Sequence, residues 1–462
     1  NFSRERFKTG EEYSRALFFL SPFIFLFAIS LFQVLNLTLF QGDKYQTIAE
    51  SNRIYQKPIN PVRGFIYDRK GTLLSENIVQ RDLYVTPAYI EDSAKTILKL
   101  SNLLDMPYEL LEKNFSKGLK KAKKFYSFPL VKALNEEQIA KAKVNLDSIS
   151  GIEVKATLKR YVLHEETLAH VLGYVGDISS DDIRRDKLLA GIQNTQIGKT
   201  GIEKEFDYIL RGKSGIQTQE RDVKGKLVRI LDTQGAEDGK DIYLTIDHKL
   251  QDHLFKLFEN RRGALVALEP KTGLVRALIS SPSFNPNILN SIVDTDEVES
   301  LFSNKESPIF NRAVSGQYPP ASTLKPFVGL AAIENEVISW NKKIKDDGEF
   351  YVEGDPRPYR GWKENGHGRV DMRKAIAESS DVYFYTIAFD LTLAGIRPML
   401  DSFGFGKKTG LTDFEANGLL PDKKWKLGYK GDFWFKGDTI NLGIGQGYIL
   451  ATPLQLAMAY SG

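Results

Sequence analysis

The pattern of apolar and polar positions differs along the chain, and it is simplest near the N-terminus. From Ala16 to Phe40 there are 25 consecutive residues without a charge. This run exceeds the roughly 20 residues that cross a bilayer core, and no small-x-small cleavage site of a signal peptide follows it. The pattern predicts an uncleaved transmembrane anchor rather than a buried core helix. Because Arg4, Arg6, Lys8 and Arg15 precede the run, the short N-terminus is predicted to stay cytoplasmic and the rest to be exported.

The next stretch, from Asp43 to about Asp247, mixes short strand-like runs with charged helical runs. Strands are predicted at 82–85, 151–154 and 241–246, and helices at 93–104 and 135–144. The stretch has no obvious nucleophile and no cluster of metal-ligating side chains. The runs indicate a mixed region of strands and helices.

From about His248 the pattern changes to strands first and helices afterwards. Residues 262–269 and 273–280 are predicted strands joined by a turn at 270–272. Helical periodicity follows at 322–334, 372–392 and 453–460. This order predicts an α+β domain, and the chain shows no internal repeat.

Composition narrows the class of protein. The chain has 462 residues, which predicts two or three domains, and 42% apolar residues, which is ample for packed cores. A net charge of +4 on 63 basic and 59 acidic residues is close to balance, and the short lysine cluster at 117–124 is interpreted as a solvated face, so no nucleic-acid partner is predicted. Cysteine is absent, which excludes disulfides, thiolate nucleophiles and cysteine-ligated zinc.

The candidate chemistry begins at Ser322-Thr323-Leu324-Lys325. Positions i and i+3 share a helix face, so the Lys325 ammonium can reach the Ser322 hydroxyl. Burial lowers the pKa of a lysine, which makes Lys325 a candidate base for a serine nucleophile. The preceding Pro319-Pro320 and the apolar run after Lys325 place Ser322 near a helix N-terminus, where the helix dipole favours negative charge.

A second motif, Ser379-Ser380-Asp381, begins 54 residues after Lys325 and precedes the apolar run 382–389. Both motifs have look-alikes. Ser339 also stands three residues before a lysine but lies in a polar helix exit, and Ser179-Ser180-Asp181 leads into a charged, solvated face. Their surroundings favour Ser322 and Ser379 as the functional pair.

These motifs stand among further signatures that occur in a fixed order. The signatures are 63–71, 160–161, 170–176 and 198–203 in the first half, and 362–368, 379–385 and 437–448 in the second. With them, the chain resembles the class B penicillin-binding proteins, most closely those of the elongation type (penicillin-binding protein 2), along nearly its whole length. Division-type relatives usually carry asparagine in place of Asp381.

The resemblance implies a domain organisation. A cytoplasmic segment would occupy residues 1–15, a transmembrane anchor 16–40, and a non-catalytic pedestal domain of the dimerisation type 41–247. A penicillin-binding transpeptidase domain, similar in fold to β-lactamases, would occupy 248–462. The bulk of the chain would lie in the periplasm of a bacterium, anchored in its inner membrane by a single pass.

The resemblance also implies a reaction. Ser322 would attack the penultimate carbonyl of a peptidoglycan stem peptide ending in D-Ala-D-Ala, release the terminal D-Ala and pass the acyl group to the amine of a neighbouring stem. Lys325 would take the serine proton, Ser379 would relay a proton towards the leaving amine, and Asp381 would position Lys325 or the donor amide. β-Lactams would acylate Ser322 by resembling the donor.

The partners implied are a RodA-like SEDS glycosyltransferase, an MreC-like elongation scaffold and the membrane. An alternative makes the chain a binding partner that activates the glycosyltransferase through its pedestal, without needing the acyl chemistry. A β-lactam hydrolase or sensor is a third possibility, disfavoured by the long membrane-proximal region.

The family's third motif, K-[ST]-G followed by threonine or serine, has no full match here. Three K-T-G strings begin at Lys199, Lys271 and Lys408, but isoleucine or leucine follows each one, and all three are interpreted as turn sequences. The working motif is expected beyond Gly462, so the 462-residue chain by itself is expected to acylate slowly or not at all.

A metal site is not predicted, and no cofactor is either. Some elongation-type relatives hold zinc near the active site through two aspartates, a histidine and a cysteine. Asp347 and His367 match two of these positions, whereas Gly361 and Ser380 occupy the other two. Two ligands do not make a closed zinc site, so His367 is predicted to be a hydrogen-bonded histidine.

Overall fold

The structure is a computed structural model. It describes residues 18, 20–23, 25–36, 54–121, 127–145, 149–187, 189, 196–221, 227–259, 261–291 and 295–462. By packing, the chain divides into two compact units, one formed by residues 1–60 and 214–237 and the other by residues 61–213 and 238–462.

The strands of the described residues are β1 (Ile54–Ile59), β2 (Ile66–Tyr67), β3 (Leu73–Val85), β4 (Phe128–Val131), β5 (Ile152–Val162), β6 (Val175–Asp177), β7 (Gln196–Gly198), β8 (Gly215–Arg221), β9 (Leu227–Gln234), β10 (Ile242–Tyr243), β11 (Gly263–Leu268), β12 (Val275–Ser281), β13 (Ile344–Asp346), β14 (Glu349–Phe350), β15 (Tyr359–Arg360) and β16 (Gly368–Val370). The α-helices from residue 93 onwards are α1 (Ser93–Leu104), α2 (Tyr108–Lys121), α3 (Glu136–Asn145), α4 (Glu165–Leu172), α5 (Ser180–Arg185), α6 (Gly201–Glu205), α7 (Asp207–Leu210), α8 (His248–Lys256), α9 (Pro286–Ser291), α10 (Thr295–Ser303), α11 (Lys325–Glu334), α12 (Met372–Ala377), α13 (Asp381–Ser402), α14 (Lys423–Lys430), α15 (Lys436–Gly443) and α16 (Pro453–Ala459). Short 3-10 helices occupy Pro87–Tyr89 and Ala321–Leu324.

The first unit contains an antiparallel sheet in the order β1-β8-β9. Residues 20–23 and 25–35 are helical and exposed. Among the described residues, none of the helices combines the length and the apolar character needed to cross a membrane. The anchor predicted at Ala16–Phe40 lies partly outside the described residues, and it stays a prediction.

One part of the second unit is built on a sheet in the order β10-β2-β3-β4, with β5 also paired to β3. The 13-residue strand β3 runs antiparallel to β5 along most of its length, from Ser75↔Val162 to Val85↔Ile152. Helix α1 covers one end of this sheet through Ile97, Leu100 and Leu104, which share a helix face. The helix predicted at 93–104 is confirmed, and its start is set by Asp92, whose side chain accepts a hydrogen bond from Lys95 N.

Another part of the second unit contains helix α8 and the antiparallel hairpin β11–β12. The predicted strand pair is therefore confirmed, with Lys271-Thr272-Gly273 in its connecting turn. A large core of fully buried side chains lies between α11, α12, α13 and α15, and includes Leu324, Val328, Tyr383 and Phe384. The 3-10 turn Ala321–Leu324, which we call the nucleophile turn because it carries Ser322, and the second motif are therefore both attached to this core.

One predicted helix is divided in the structure. The run 372–392 was predicted to be continuous, but α12 ends at Ala377 and α13 begins at Asp381. Ser379 between them has φ +54°, in the left-handed region that non-glycine residues rarely adopt. Ser380 then caps α13 by accepting a hydrogen bond from Tyr383 N. Residues 378–381 are four consecutive polar residues, Glu-Ser-Ser-Asp, and this interruption with a capping serine was the signal in the sequence for a new helix start.

Candidate active site

Ser322 lies in the tight 3-10 turn that leads directly into α11. Pro320 precedes this turn, and Thr323 N donates to the Pro320 carbonyl. Ser322 is exposed, whereas Lys325, one turn further on, is 1% exposed. A solvent-facing hydroxyl above a buried amine is the arrangement that an activated serine nucleophile needs.

The second motif meets the nucleophile turn through hydrogen bonds of Lys325. The ammonium Nζ donates to the Ser379 carbonyl at 2.9 Å, to Ser379 Oγ at 3.0 Å and to Asp381 Oδ1 at 2.6 Å. Ser379 Oγ in turn donates to Ser322 Oγ at 2.9 Å. The structure therefore brings all four predicted residues together, and the hydrogen bonds connect Lys325 to Ser322 by way of Ser379.

Opposing influences act on the ionisation of Lys325. Burial lowers the pKa of its ammonium below the ordinary value, and this effect prevails over the hydrogen bond and charge of Asp381 and the charge of Asp346, which act in the opposite direction. The result is an amine that loses its proton more readily than a surface lysine does. Such an amine can accept a proton from a serine during nucleophilic attack.

The hydrogen-bond chain suits proton transfer in either direction. As described, Ser379 donates towards Ser322 and accepts from Lys325. If both hydroxyls rotate, Ser322 donates to Ser379 and Ser379 donates to a neutral Lys325, which carries a proton from the nucleophile to the base. The same chain run backwards delivers a proton to a leaving amine.

Beneath the second motif lies a buried group of three polar side chains, Asp346, His367 and Ser380. Asp346 Oδ2 accepts from Ser380 Oγ at 2.6 Å and lies 2.7 Å from His367 Nδ1, and Asp346 Oδ1 accepts from Gly348 N at 2.9 Å. Burial disfavours the charged carboxylate, but the hydrogen bonds from Ser380, His367 and Gly348 outweigh it and hold the Asp346 pKa below its ordinary value. Ser380 is thereby fixed between Ser379 and Asp381.

The aspartate that contacts His367 in the structure is Asp346, whereas the sequence comparison pointed to Asp347. Asp347, which was aligned with a zinc ligand, is 62% exposed in its side chain and pairs with Lys345, whereas the buried partner is Asp346. Strand β13 explains this, because Asp346 is one of the buried, inward-facing positions while Lys345 faces solvent. The alternating pattern Ile344-Lys345-Asp346 was the available signal.

Trp362 also belongs to the site, although the sequence analysis assigned it no role there. Its backbone N–H donates to Asp381 Oδ2 at 3.1 Å, and its indole N–H donates to the Ser379 carbonyl at 3.1 Å. The side chain is 66% exposed. Trp362 thus holds both ends of the second motif while presenting an indole face to solvent beside it.

The look-alike motifs lie elsewhere. Ser179 caps α5 in a capping box with Asp182, and Ser339 is exposed beyond the end of α11. The K-T-G strings occupy the loop before α6, the β11–β12 turn and a loop in which Lys408 Nζ donates to Asp413 O. A cavity of about 610 Å³ lined by His170, Lys204 and Phe310, among others, includes none of the four predicted site residues in its lining.

Comparison with known proteins matches two family models to separate parts of the chain. Residues 58–244 match the model of the penicillin-binding protein dimerisation domain. Residues 263–462 match the model of the penicillin-binding protein transpeptidase domain.

Individual relatives match across most of the chain. It is 38% identical to the peptidoglycan D,D-transpeptidase MrdA of Haemophilus influenzae over 431 residues, which are 92% of this chain and 66% of that protein, slightly less than two thirds of its length. It is 35% identical to MrdA of Escherichia coli K12 over 450 residues, 96% of this chain and 71% of that protein. Among solved structures, penicillin-binding protein 2 of Helicobacter pylori, in a complex with MreC, superimposes with a TM-score of 0.78 at 31% identity, covering 87% of this chain and 76% of that one.

Proposed function

The chain belongs to the class B penicillin-binding proteins of the elongation type, and from this premise we propose that it is a peptidoglycan D,D-transpeptidase that cross-links stem peptides through an acyl-Ser322 intermediate during cell elongation. The observation that carries the proposal is the position of Lys325. This buried amine connects two motifs that are 54 residues apart and is joined through Ser379 to the exposed Ser322 hydroxyl.

The reaction proceeds in two acyl transfers. In the first, Ser322 Oγ forms a bond to the penultimate D-Ala carbonyl carbon, its proton passes through Ser379 to neutral Lys325, and the proton is then delivered to the amine of the terminal D-Ala as the C–N bond breaks. In the second, the amine of a neighbouring stem attacks the ester, loses a proton to the same chain and releases Ser322 with its hydroxyl restored. The Ser322 N–H lies in the tight turn before α11, where an amide donor can stabilise the oxyanion.

Asp381 and Trp362 position the base and the relay. Asp381 Oδ1 accepts a hydrogen bond from the Lys325 ammonium, and the Trp362 indole N–H donates a hydrogen bond to the Ser379 carbonyl. Neither side chain needs to exchange a proton with the substrate. Their contribution is to keep the reacting atoms within hydrogen-bond reach, on which proton transfer depends.

The proposal is tested by treating the whole protein with a penicillin and mapping the modified residue by mass spectrometry. A single adduct is expected on Ser322. The variants Ser322→Ala and Ser339→Ala provide the comparison, since the first should abolish the adduct and the second should leave it unchanged. An adduct on any other serine contradicts the assignment.

The proposal extends to partners and location. An MreC-like scaffold is supported as a partner by the Helicobacter pylori relative, which forms a complex with MreC, and a RodA-like SEDS glycosyltransferase would supply the glycan. The uncharged run 16–40 supports a single-pass anchor with residues 41–247 as pedestal and 248–462 as catalytic domain. A reporter fused after Gly42 should then be exported and resist carbonate extraction, and release of a soluble product would count against the anchor.

A further inference from the structure

A group of aromatic rings and lysines around helix α14 has no role in the acyl chemistry proposed above. Its centre is formed by Trp425, Tyr429 and Tyr448, which we call the aromatic platform. The Trp425 and Tyr429 rings are stacked, with centroids 5.4 Å apart and planes at 17°, and the Tyr448 centroid lies 5.3 Å from that of Trp425. Tyr429 is 72% exposed, whereas Trp425 and Tyr448 are half-buried, so the platform meets solvent chiefly through Tyr429.

The local sequence builds this platform on α14. Asp422 caps the helix by accepting from Trp425 N, and Gly431 ends it in the left-handed conformation. Trp425 and Tyr429 are four residues apart and so share one helix face. Beneath the rings, Lys426 is 2% exposed, and its Nζ is 2.7 Å from Asp438 Oδ2. The buried pair ties α14 to α15.

The platform carries positive charge that neighbouring acids do not neutralise. Residues 423–438 contain five lysines and two aspartates, a net charge of +3. Both aspartates, Asp432 and Asp438, are paired with the buried Lys426. Lys430 Nζ lies 5.4 Å from the Tyr429 ring centroid and 5.9 Å from that of Tyr448, and no carboxylate of the described residues pairs with it. An uncompensated ammonium therefore stands beside the rings.

A short backbone segment links Tyr448 to the turn that carries Ser322. The Gly445 carbonyl accepts a hydrogen bond from Ala321 N at 2.8 Å, and a Cβ on Gly445 would lie 2.1 Å from the Ala321 carbonyl oxygen. Gly445 also has φ +72°, so glycine is required there for both reasons. Tyr448 follows three residues later. The segment 445–448 therefore connects one ring of the platform to the turn that carries Ser322.

We propose that the aromatic platform and Lys430 bind the glycan strand that carries the stem peptides. This inference rests on the proposed transpeptidase function and adds to it a binding surface for the polymer. Sugar rings have apolar C–H faces that pack on flat aromatic side chains, while the tyrosine hydroxyl stays in contact with water. Stem peptides bear carboxylates, which form charge-assisted hydrogen bonds with an unpaired lysine. Aromatic rings with lysines also suit a lipid headgroup region, but the backbone link between Tyr448 and the turn that carries Ser322 favours the strand.

The inference is tested by binding without turnover. The whole protein carrying Ser322→Ala is titrated with purified, uncross-linked peptidoglycan strands bearing pentapeptide stems, and the dissociation constant is measured. Tyr429→Ala and Lys430→Gln are each expected to weaken binding at least fivefold, about 1 kcal/mol. Both side chains are exposed, so the fold should be retained. Tyr208→Ala, which removes a pedestal tyrosine that is 73% exposed, and Lys249→Gln are matched controls that should leave the constant unchanged.

Two further measurements distinguish a failure of the platform proposal from a failure of the transpeptidase proposal. With strands whose peptides have been removed by an amidase, Tyr429→Ala should still weaken binding and Lys430→Gln should not. Penicillin labelling of the protein with Ser322 intact is measured in parallel, and its absence would count against the transpeptidase proposal. The platform is overturned if penicillin labelling is normal and neither substitution weakens strand binding. It is also overturned if the two substitutions weaken binding to anionic phospholipid vesicles and leave strand binding unchanged.

Discussion

Lys325 is the residue whose environment most directly determines the proposed chemistry. All three protons of its ammonium have acceptors, on Ser379 and Asp381. Burial lowers its pKa, whereas the carboxylates of Asp381 and Asp346 oppose that shift. The carboxylates keep the buried amine in place, and desolvation makes its proton easier to lose.

Replacing Lys325 with arginine should abolish acylation of Ser322 by penicillin. Guanidinium does not lose its proton in proteins, so it cannot act as the base. In the unmodified protein the neutral amine is the active form, so the acylation rate should rise with pH through an ionisation below the ordinary lysine value of 10.5. A stopped-flow or fluorescent-penicillin assay across pH measures both effects, and near-normal labelling of Lys325→Arg would remove Lys325 as the base.

At the scale of elements, the break between α12 and α13 is what makes the site possible. A continuous helix through 378–380 would commit the Ser379 carbonyl to the helix, whereas in the structure it accepts from Lys325 and from the Trp362 indole. Ser380 stabilises the break twice, because it caps α13 and donates to Asp346. Because Ser380 is held in place by these two contacts, its neighbours Ser379 and Asp381 are held in place as well.

Ser380→Ala should therefore slow acylation as well as reduce stability. Loss of the helix cap should cost about 1 kcal/mol of unfolding free energy, and the loosened relay should slow acylation by about tenfold or more. Thermal unfolding and the penicillin acylation rate are the two measurements.

Ser179→Ala is the matched control for this variant. Ser179 also caps a helix, α5 in the pedestal, and also belongs to a Ser-Ser-Asp sequence. Its loss should remove a helix cap but no buried hydrogen bond, so it should cost less stability than Ser380→Ala and leave the acylation rate unchanged. If Ser380→Ala behaves in the same way as Ser179→Ala, Ser380 has only a structural role.

At the scale of the whole molecule, a buried aspartate joins the end of strand β2 to the start of helix α8. Asp68, which follows β2, accepts from Lys70 N and Thr72 N at 2.8 Å each, and its Oδ2 lies 2.6 Å from His248 Nδ1 at the start of α8. Burial disfavours the Asp68 carboxylate, but the hydrogen bonds from His248, Thr72 and Lys70 prevail and lower its pKa from 3.8 to about 2. The charged form thus stabilises the folded state.

Asp68→Asn should reduce the stability of the protein in a pH-dependent way. The folded-state pKa lies below the unfolded one, so the stabilisation is fully present above pH 3.8 and is lost as the pH falls through about 2. At pH 7 the loss should be about 1–3 kcal/mol.

The measurement is denaturant unfolding of both proteins at pH 7 and near pH 2. The difference between them should shrink at the lower pH, and a difference that does not change with pH would assign the effect of Asp68→Asn to packing rather than to charge.

The sequence by itself determined the features that depend on neighbours within one or two turns. The three-residue spacing of Ser322 and Lys325, the capped helix α1 and the β11–β12 hairpin are of this kind, because periodicity, caps and turn residues act locally. The order of the signatures also placed the chain in its family. These local signals were sufficient for the candidate residues and for most of the elements around them.

The tertiary structure alone decided how those residues act on one another. In the structure, Lys325 is connected to Ser322 by hydrogen bonds through Ser379. The partner of His367 is Asp346 and not Asp347, and the Tyr448 ring packs against Trp425 of α14. Each outcome depends on side chains far apart in the chain, such as Ser322 and Ser379, 57 residues apart, or Asp346 and Ser380, 34 residues apart. Which way a hydroxyl or carboxylate points at such a junction is set by packing of the elements that carry it, and no local pattern contains that information.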